Sequence, residues 1–596
     1  MPEVTGISPE TRRLEATRAL ATVPDTDPIG RSAALSVLGD ALRETGDLNG
    51  ATAAYREALA IRRRLTATEP DRAEWQRDLA VSLDRAGDVA RASGDLTAAR
   101  NAYTEAMSIR TALAAADPTS TANQRSLPVS LDNLGDLAVE SGDLIAARDA
   151  YARSLSIRRA LAAADKTSAE NQQSLSVSLD NLGDLAVAIG DLPAAGDAYT
   201  ESLSIRRALA AADPTSIANQ RSLPVSLDKI GNLAQAMGDL PAARAAYEEA
   251  LVRRRALAAA DPANAERQRE VAVSLDRIGN VARTTGELDE AHAVYEEALA
   301  LRRALVAADP ANTVWRRDLS ISLDNLGDVA FYLGDFARAR IAYAEALEFV
   351  YRLGAADPSN AAWQRDLAIS YSKIGDVERS QGDFEAALTS YQASLAIAQR
   401  LATGDPSNAA WQRDLAISYS KIGDVERSQG DFEAALTNYQ VSLAIRERLA
   451  TADPSNAGWQ RDLSVLYSKI GDVQLAQGEL DAALARYQAA LPFFNRGGDR
   501  VGEANVLARL ALVQEAKGDL TEALNRYLAA LAQFKVVNYR FGEADVLASI
   551  GDLLKKLGDT EGSRAAYNEA AEIFRNLGMT KRLGELMRAA DVKPTG

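Results

Sequence analysis

Pairs of carboxylates four residues apart recur along this chain and are its most evident source of chemistry. Asp84 and Asp88, Asp132 and Asp136, Asp180 and Asp184, and Asp324 and Asp328 are such pairs, while Asp228 with Asn232 and Asp276 with Asn280 carry an amide in second place. Further along, Asp376, Asp424 and Asp472 keep the second position. There Ser372, Ser420 and Ser468 replace the first aspartate, Lys373, Lys421 and Lys469 stand next to the serines, and Arg379 and Arg427 follow two of the aspartates. A catalytic pair needs two carboxylates in unlike environments, so that their proton affinities separate. A ladder repeated at equal spacing offers equivalent environments instead, so the series predicts recognition and not turnover. Four residues apart on a helix means one face. Carboxylates aligned on such a face suit backbone amides, Lys or Arg of a partner segment. The competing expectation is that the same groups brace neighbouring repeats against Arg and Lys, or face solvent.

Other chemistries are poorly provided for. The chain has no Cys and a single His, His292, which excludes disulfides, thiolate sites and multi-His metal sites. No phosphate-cradling glycine loop, zinc-ligand spacing, EF-hand loop, or Ser or Cys nucleophile with a usable His is present. The expectation is a non-enzymatic protein with no catalytic residues, cofactor or metal. A formal charge of -16 repels phosphates and anionic lipid and favours cationic or polar protein surfaces. The expected partner is a protein or peptide segment, polar or basic, with neither nucleic acid nor membrane. The first thirty residues lack a basic start followed by an apolar run, and no stretch reaches about 18 consecutive apolar residues. A cytoplasmic protein is expected.

The elements that position the ladder are set by a repeat. Asp357–Gly404 is followed at once by a near copy, Asp405–Ala452, which differs at five positions: Ser390/Asn438, Ala393/Val441, Ala398/Arg446, Gln399/Glu447 and Gly404/Ala452. Steps of 48 residues lead back from Asp357 through Asp309, Asp261, Asp213, Asp165 and Asp117 to Glu69, and forward to Asp405 and Asp453. A fixed period of this size predicts a stacked solenoid, here all-α. In the 357 unit, Asp-Pro ends one helix and Ser359 or Asn360 caps the next, which runs to about Gln381. Gly382 supplies a left-handed C-cap, and Asp383 caps a second helix reaching about Thr403. The predicted core arc of the first helix holds Trp363, Leu367, Tyr371, Ile374 and Gly375, and that of the second holds Phe384, Ala387, Leu388, Tyr391, Ser394, Leu395 and Ala398. Glycine inside a helix costs about 1 kcal/mol relative to Ala. Its recurrence at the Gly375 position therefore implies close approach of the second helix, with the Tyr nine residues after each turn glycine filling the gap.

This pattern resembles the tetratricopeptide repeat: Leu or Tyr four before the helical Gly, a turn Gly seven after it, then Ala at five, Tyr at nine and Ala or Ser at twelve beyond the turn. The departures are the period of 48 in place of the family's 34 and the move of its Pro into the Asp-Pro loop. Past Asp453 the spacing contracts to 40 residues, from Gly478 to Gly518 to Gly558, as in the repeats of eukaryotic polarity adaptors and kinesin light chain. The long repeats resemble arrays in bacterial multidomain regulators. The resemblance implies a right-handed superhelix of about twelve helical hairpins. Its expected parts are an N-terminal cap helix and linker at 1–30, ten repeats at 31–496, two 40-residue repeats at 497–577, and a capping helix and tail at 578–596. It also implies a scaffold whose concave groove, lined by the ladder, holds a protein segment. The alternative is a sensor arm that signals to a separately encoded effector. Self-association through end repeats is possible. Trp75, Trp315, Trp363, Trp411 and Trp459 occupy one place in the repeat and are expected to staple successive repeats. Arginine clusters such as Arg158-Arg159 and Arg253 to Arg255 sit at helix C-termini, where the helix dipole explains them.

Overall fold

The computed structural model describes residues 9–454, 456–497, 499–577 and 579–589, and all their regular structure is helical. The chain divides into two compact units, 1–308 and 309–596. Unit 1 holds α1 (Pro9–Thr22), α2 (Pro28–Glu44), α3 (Leu48–Thr68), α4 (Ala73–Ala92), α5 (Leu96–Ala116), α6 (Thr121–Glu140), α7 (Leu144–Ala164), α8 (Ala169–Ala188), α9 (Leu192–Ala212), α10 (Ile217–Ala236), α11 (Leu240–Ala260), α12 (Ala265–Thr285) and α13 (Leu288–Ala308). Unit 2 holds α14 (Thr313–Tyr332), α15 (Phe336–Ala356), α16 (Ala361–Ser380), α17 (Phe384–Gly404), α18 (Ala409–Gln429), α19 (Phe432–Ala452), α20 (Ala457–Ala476), α21 (Leu480–Gly497), α22 (Arg500–Ala516), α23 (Leu520–Val536), α24 (Arg540–Leu557), α25 (Thr560–Asn576) and α26 (Thr580–Ala589).

Each even-numbered helix from α2 to α24 packs along its successor as a hairpin, giving six hairpins per unit, twelve in all. Within each unit a second helix also packs on the first helix of the next hairpin. First helices come near enough to touch one another, α4 with α6 and α6 with α8 in unit 1, α20 with α22 and α22 with α24 in unit 2. No two second helices among the described residues approach as closely. The first helices therefore lie on the inside of each stack.

The local rules behave as the sequence implies. Asn360 caps α16 by accepting from the Trp363 N–H, Gly382 turns the chain at φ +83°, and Asp383 caps α17 by accepting from Ala386 N–H. At the N-terminus the first hairpin starts earlier than expected, because Asp27 caps α2 at Pro28. Leu20 packs with Leu35, Ala58 and Ile61, whereas Leu14 is exposed. The start of the expected N-terminal cap region, before Pro9, and the tail after Ala589 fall outside the described residues.

The core arc of the first helices is rotated from the predicted one. In α16 the fully buried set is Gln364, Leu367, Ala368, Ser370, Gly375, Val377 and Glu378, while Trp363, Tyr371 and Ile374 are half-buried. The reason is that a first helix is covered on two sides, by its own partner and by the second helix of the preceding hairpin, so small residues face the tightest contacts. Gln364 uses its amide there to donate to the Gly354 carbonyl at the end of α15, at 3.0 Å. Gln412 and Gln460 do the same one and two repeats later, and in unit 1 Asn123, Asn171 and Asn219 reach the carbonyl one position earlier in the preceding helix. The glutamine amides satisfy orphan carbonyls at helix ends, whereas the asparagines add a second donor to carbonyls that already accept from the C-cap aspartate N–H.

The tightest contact is the one between glycine and tyrosine. A Cβ on Gly375 would lie 2.7 Å from Tyr391 Cε1, and Tyr391 is 1% exposed. The same pairing recurs from Gly39 with Tyr55 to Gly551 with Tyr567, and Ala511 faces Tyr527 in the one repeat without the glycine. Gly375→Val is expected to lower the free energy of urea unfolding by about 2–4 kcal/mol through overpacking. Gly404→Ala, at a helix end where added atoms meet nothing within 4 Å, should raise it by about 0.5–1 kcal/mol.

Candidate functional site

The two members of each carboxylate pair have different surroundings. The first member points into the stack. Asp84, Asp132, Asp180, Asp228 and Asp276 are paired with Arg110, Arg158, Arg206, Arg254 and Arg302, each carried by the second helix of the same hairpin. Asp180 and Arg206 meet at 2.5 Å with each side chain 7% exposed. The arginine then continues to the next hairpin. Arg158 donates to Ser178 Oγ at 2.7 Å, Arg206 to Ser226 Oγ at 2.8 Å, and Arg254 to Ser274 Oγ at 2.6 Å. Burial pushes the carboxyls of Asp84, Asp132 and Asp180 up, and the arginine beside each pulls it back down. The first row is therefore a set of internal braces rather than groove lining. This also corrects the account of the arginine clusters, because one arginine of each is an ion-pair partner and not a counter-charge to a helix end. The neighbouring arginines tie second helices together, Arg159 with Glu201, Arg207 with Glu249 and Arg255 with Glu297, each at 2.5 Å.

The second member of the pair reaches the surface. Asp88, Asp136 and Asp184 each accept a hydrogen bond from the core tyrosine of their own hairpin, Tyr103, Tyr151 and Tyr199, at 2.6–2.7 Å. Asn232 and Asn280 accept from Tyr247 and Tyr295 in the same way. Burial, followed by these acceptors at Tyr103, Tyr151 and Tyr199, raises the phenol pKa well above its ordinary value, so the tyrosines stay neutral donors. The tyrosine occupies only part of the carboxylate. Side-chain exposure is 32% for Asp88, 43% for Asp136 and 52% for Asp184, with Arg43, Arg91 and Lys229 at their edges.

In unit 2 the second row is shielded. Lys373, Lys421 and Lys469 bond Asp328, Asp376 and Asp424 at 2.5–2.7 Å, reaching from one first helix to the preceding one. Arg427 and Arg509 both pair with Asp472, and Arg379 lies in the field of Asp376 and Asp424. The carboxylates are 28% exposed at most and 11% at Asp472. Lys373 and Lys421 also lie over the rings of Tyr343 and Tyr391 at 5.2 and 5.6 Å. The acidic character of the inner face thus fades in unit 2, as the lysines beside the serines imply.

A second periodic feature of this face escapes sequence reading. Val81, Val129, Val177 and Val225, each three residues before a first-row aspartate, are 40–44% exposed. Ile321 and Ile369 continue the pattern in unit 2 at 41% and 36%. Seven residues separate each of these from its second-row position, which puts both on one side of the helix. In sequence such valines read as core. The available signal was their constant register beside the ladder.

With the helical hairpins and the contents of their inner face established, the comparisons decide the family. Tetratricopeptide repeat models match residues 366–448, 462–535 and 503–576, and also 31–66, 225–262 and 271–311, together just over half of the chain. The chain belongs to the tetratricopeptide repeat family. No curated protein matches it. Solved structures with similarity include BtubC (BKLC) from P. vanneervenii, 24% identical over 43% of this chain and 92% of that one, with a TM-score of 0.35. The apo form of RapI is 12% identical over 68% of this chain and 99% of the other, with a TM-score of 0.44. A signal transduction ATPase with numerous domains and a tetratricopeptide repeat sensor, from Pyrococcus horikoshii, is 13% identical over 66% of this chain and 55% of that one, at a TM-score of 0.40. This tetratricopeptide repeat chain thus spans just over half the length of that ATPase. Among the described residues no helix is long and apolar enough to cross a membrane, and no group of three or more His, Asp or Glu could hold a metal ion.

One brace of the repeat is incomplete. Val350 stands where five unit 1 hairpins carry the buried arginine that would pair with Asp324, and both Asp324 Oδ1 and Ser370 Oγ are buried without a hydrogen-bond partner. Burial pushes Asp324 up to about 6, with Lys373 opposing and Asp328 and Asp366 adding to the rise. A folded-state value above the unfolded one gives a contribution that is complete below about pH 4 and is lost as pH rises through about 6. Asp324→Asn is therefore expected to match the parent at pH 4 and to exceed its unfolding free energy by about 1–3 kcal/mol at pH 7.5, read from paired urea titrations. Removing a brace that is complete has the opposite effect. Arg206→Ala leaves Asp180 buried and unpaired and should cost about 3–5 kcal/mol, of which Arg206→Met with Asp180→Leu recovers the larger part.

Proposed function

We propose that this protein is a binding scaffold whose inner face in unit 1 holds an extended polypeptide segment bearing both basic and aliphatic side chains. The observation that supports the reading is the double row on the first helices, with Val81, Val129, Val177 and Val225 beside Asp88, Asp136 and Asp184, all substantially exposed. Apolar groups left in water at a constant register gain when a partner covers them, at about 25 cal/mol per Å². The carboxylates select the register and disfavour acidic partners. The tyrosine behind each carboxylate fixes its position before binding, which reduces the ordering cost. The first-row aspartates take part only as braces, and the residues open to a partner are Asp88, Asp136, Asp184 and the amides Asn232 and Asn280. In unit 2 the carboxylates of Asp376, Asp424 and Asp472 are each paired with a lysine or arginine, so that inner face is near neutral and is read separately.

A random peptide library displayed on phage and selected on the intact chain tests this. Bound peptides should be enriched in Lys or Arg interleaved with aliphatic residues. Their affinity should drop at least tenfold in the Asp136→Asn, Asp184→Asn double variant and fall with added salt. Selection of acidic peptides, no selection, or equal binding by the variant would contradict the reading.

A further inference from the structure

The bracing arginine of the unit 1 hairpins is also replaced at position 398, and there it leaves an opening. The position held by Arg110, Arg158, Arg206, Arg254, Arg302 and Arg446 is Ala398 on α17. A cleft of about 330 Å³ lies above Ala398, walled by Leu401, Trp411 and Ser418 and bordered at its mouth by Asp376 and Asp414. It opens beside Ile369, a member of the exposed aliphatic row.

The neighbouring near copy shows what this space accommodates. Ala398 and Arg446 are one of five differences between the two 48-residue units, and Leu401, Trp411, Asp376 and Asp414 correspond to Leu449, Trp459, Asp424 and Asp462. Arg446 fills its own site, 6% exposed, and donates to the Asp462 carbonyl. Burial lowers its pKa, while Asp462 and Asp424 support its charge. Around Ala398 the Asp414 carbonyl stands where Arg446 has that of Asp462, and a serine, Ser418, stands where the Arg446 site has Leu466. Ser418, the counterpart of the serines that accept from Arg110, Arg158, Arg206 and Arg254, donates to the Asp414 carbonyl at 3.1 Å and keeps its lone pairs for an incoming N–H. The charged groups at the rim, Asp328 with Lys373, Asp376 with Lys421 and Asp414 with Arg365, balance one another, so an arriving cation meets no net positive field.

We propose that the cleft above Ala398 is a specificity pocket for one arginine side chain of a polypeptide segment bound to the inner face of unit 2, which takes the place that Arg446 occupies in the next hairpin. The apolar walls take the methylene stem. The Asp414 carbonyl and Ser418 receive the planar fork, for which a lysine ammonium is a poorer match. Trp411 adds an aromatic neighbour favourable to a guanidinium. The inference rests on the reading of the inner face as a polypeptide-binding surface, and assigns one residue of the segment.

The test uses the full chain labelled with 5-fluorotryptophan, with the Trp411 fluorine resonance assigned by Trp411→Phe. N-acetyl-arginine methylamide should shift that resonance saturably, and the norleucine and lysine counterparts should bind at least tenfold more weakly. Ala398→Arg, which restores the residue of the sister repeat, and Ala398→Leu, which fills the space without charge, should both abolish the shift. No shift with the arginine probe, equal response to the norleucine probe, or a response that survives both substitutions would overturn the pocket. Library-selected peptides that still bind Ala398→Arg undiminished would sink the pocket and leave the inner-face reading standing, whereas failure of all peptide selection would remove that reading itself.

Discussion

A tyrosine ring lying where a neighbouring helix has no side chain is the contact on which the rest of each hairpin depends. The ring of Tyr391 covers Gly375 closely enough that any Cβ there would have to displace it. This sets the distance and rotation between the two helices of the hairpin. The hydroxyl then emerges at the next residue, Asp376, and fixes its carboxylate at 2.6 Å. A packing constraint in the core thereby becomes a positional constraint on the surface. Because it repeats, the carboxylates along a unit share one orientation, which is what a surface that reads an extended chain needs.

The other carboxylate series works on a different boundary. Asp180, Arg206 and Ser226 join the first helix of one hairpin, its second helix and the first helix of the next. A buried ion pair adds little stability against a well-packed apolar alternative, but it costs heavily when halved. It is better suited to fixing register between successive hairpins, since sliding by one turn would strand both charges. Unit 2 relaxes the device. Val350 and Ala398 remove the arginine, Ser372 and Ser420 remove the aspartate, and lysines on the first helices bridge adjacent second-row carboxylates instead. The consequences are one uncompensated acid at Asp324 and one open cleft at Ala398.

The helices, their caps and the Gly375–Tyr391 contact were legible in the sequence, because each depends on residues within one repeat and on spacings that recur. The division of labour between Asp180 and Asp184 was not. Four residues apart they share a helical face in projection, yet the second helix of the hairpin covers one and leaves the other open, and that depends on an arginine 26 residues away reaching back. The valine row was hidden for a related reason. Val177 has a core residue's chemistry, and only the packing of successive first helices shows that it stays 40% exposed. The near copies at 357 and 405 carried the most unused information, since the exchange of Ala398 for Arg446 looks like drift until the space around both is seen.

The central claim is that the inner helices, and not the outer ones, meet the partner segment. Site-specific photocrosslinking addresses it directly, with benzoylphenylalanine placed at Val129 or Val177 on first helices and at the exposed Val252 on a second helix. The account predicts cross-linking of a selected peptide from Val129 and Val177 and none from Val252. Cross-linking from Val252 with none from the two inner positions would contradict it.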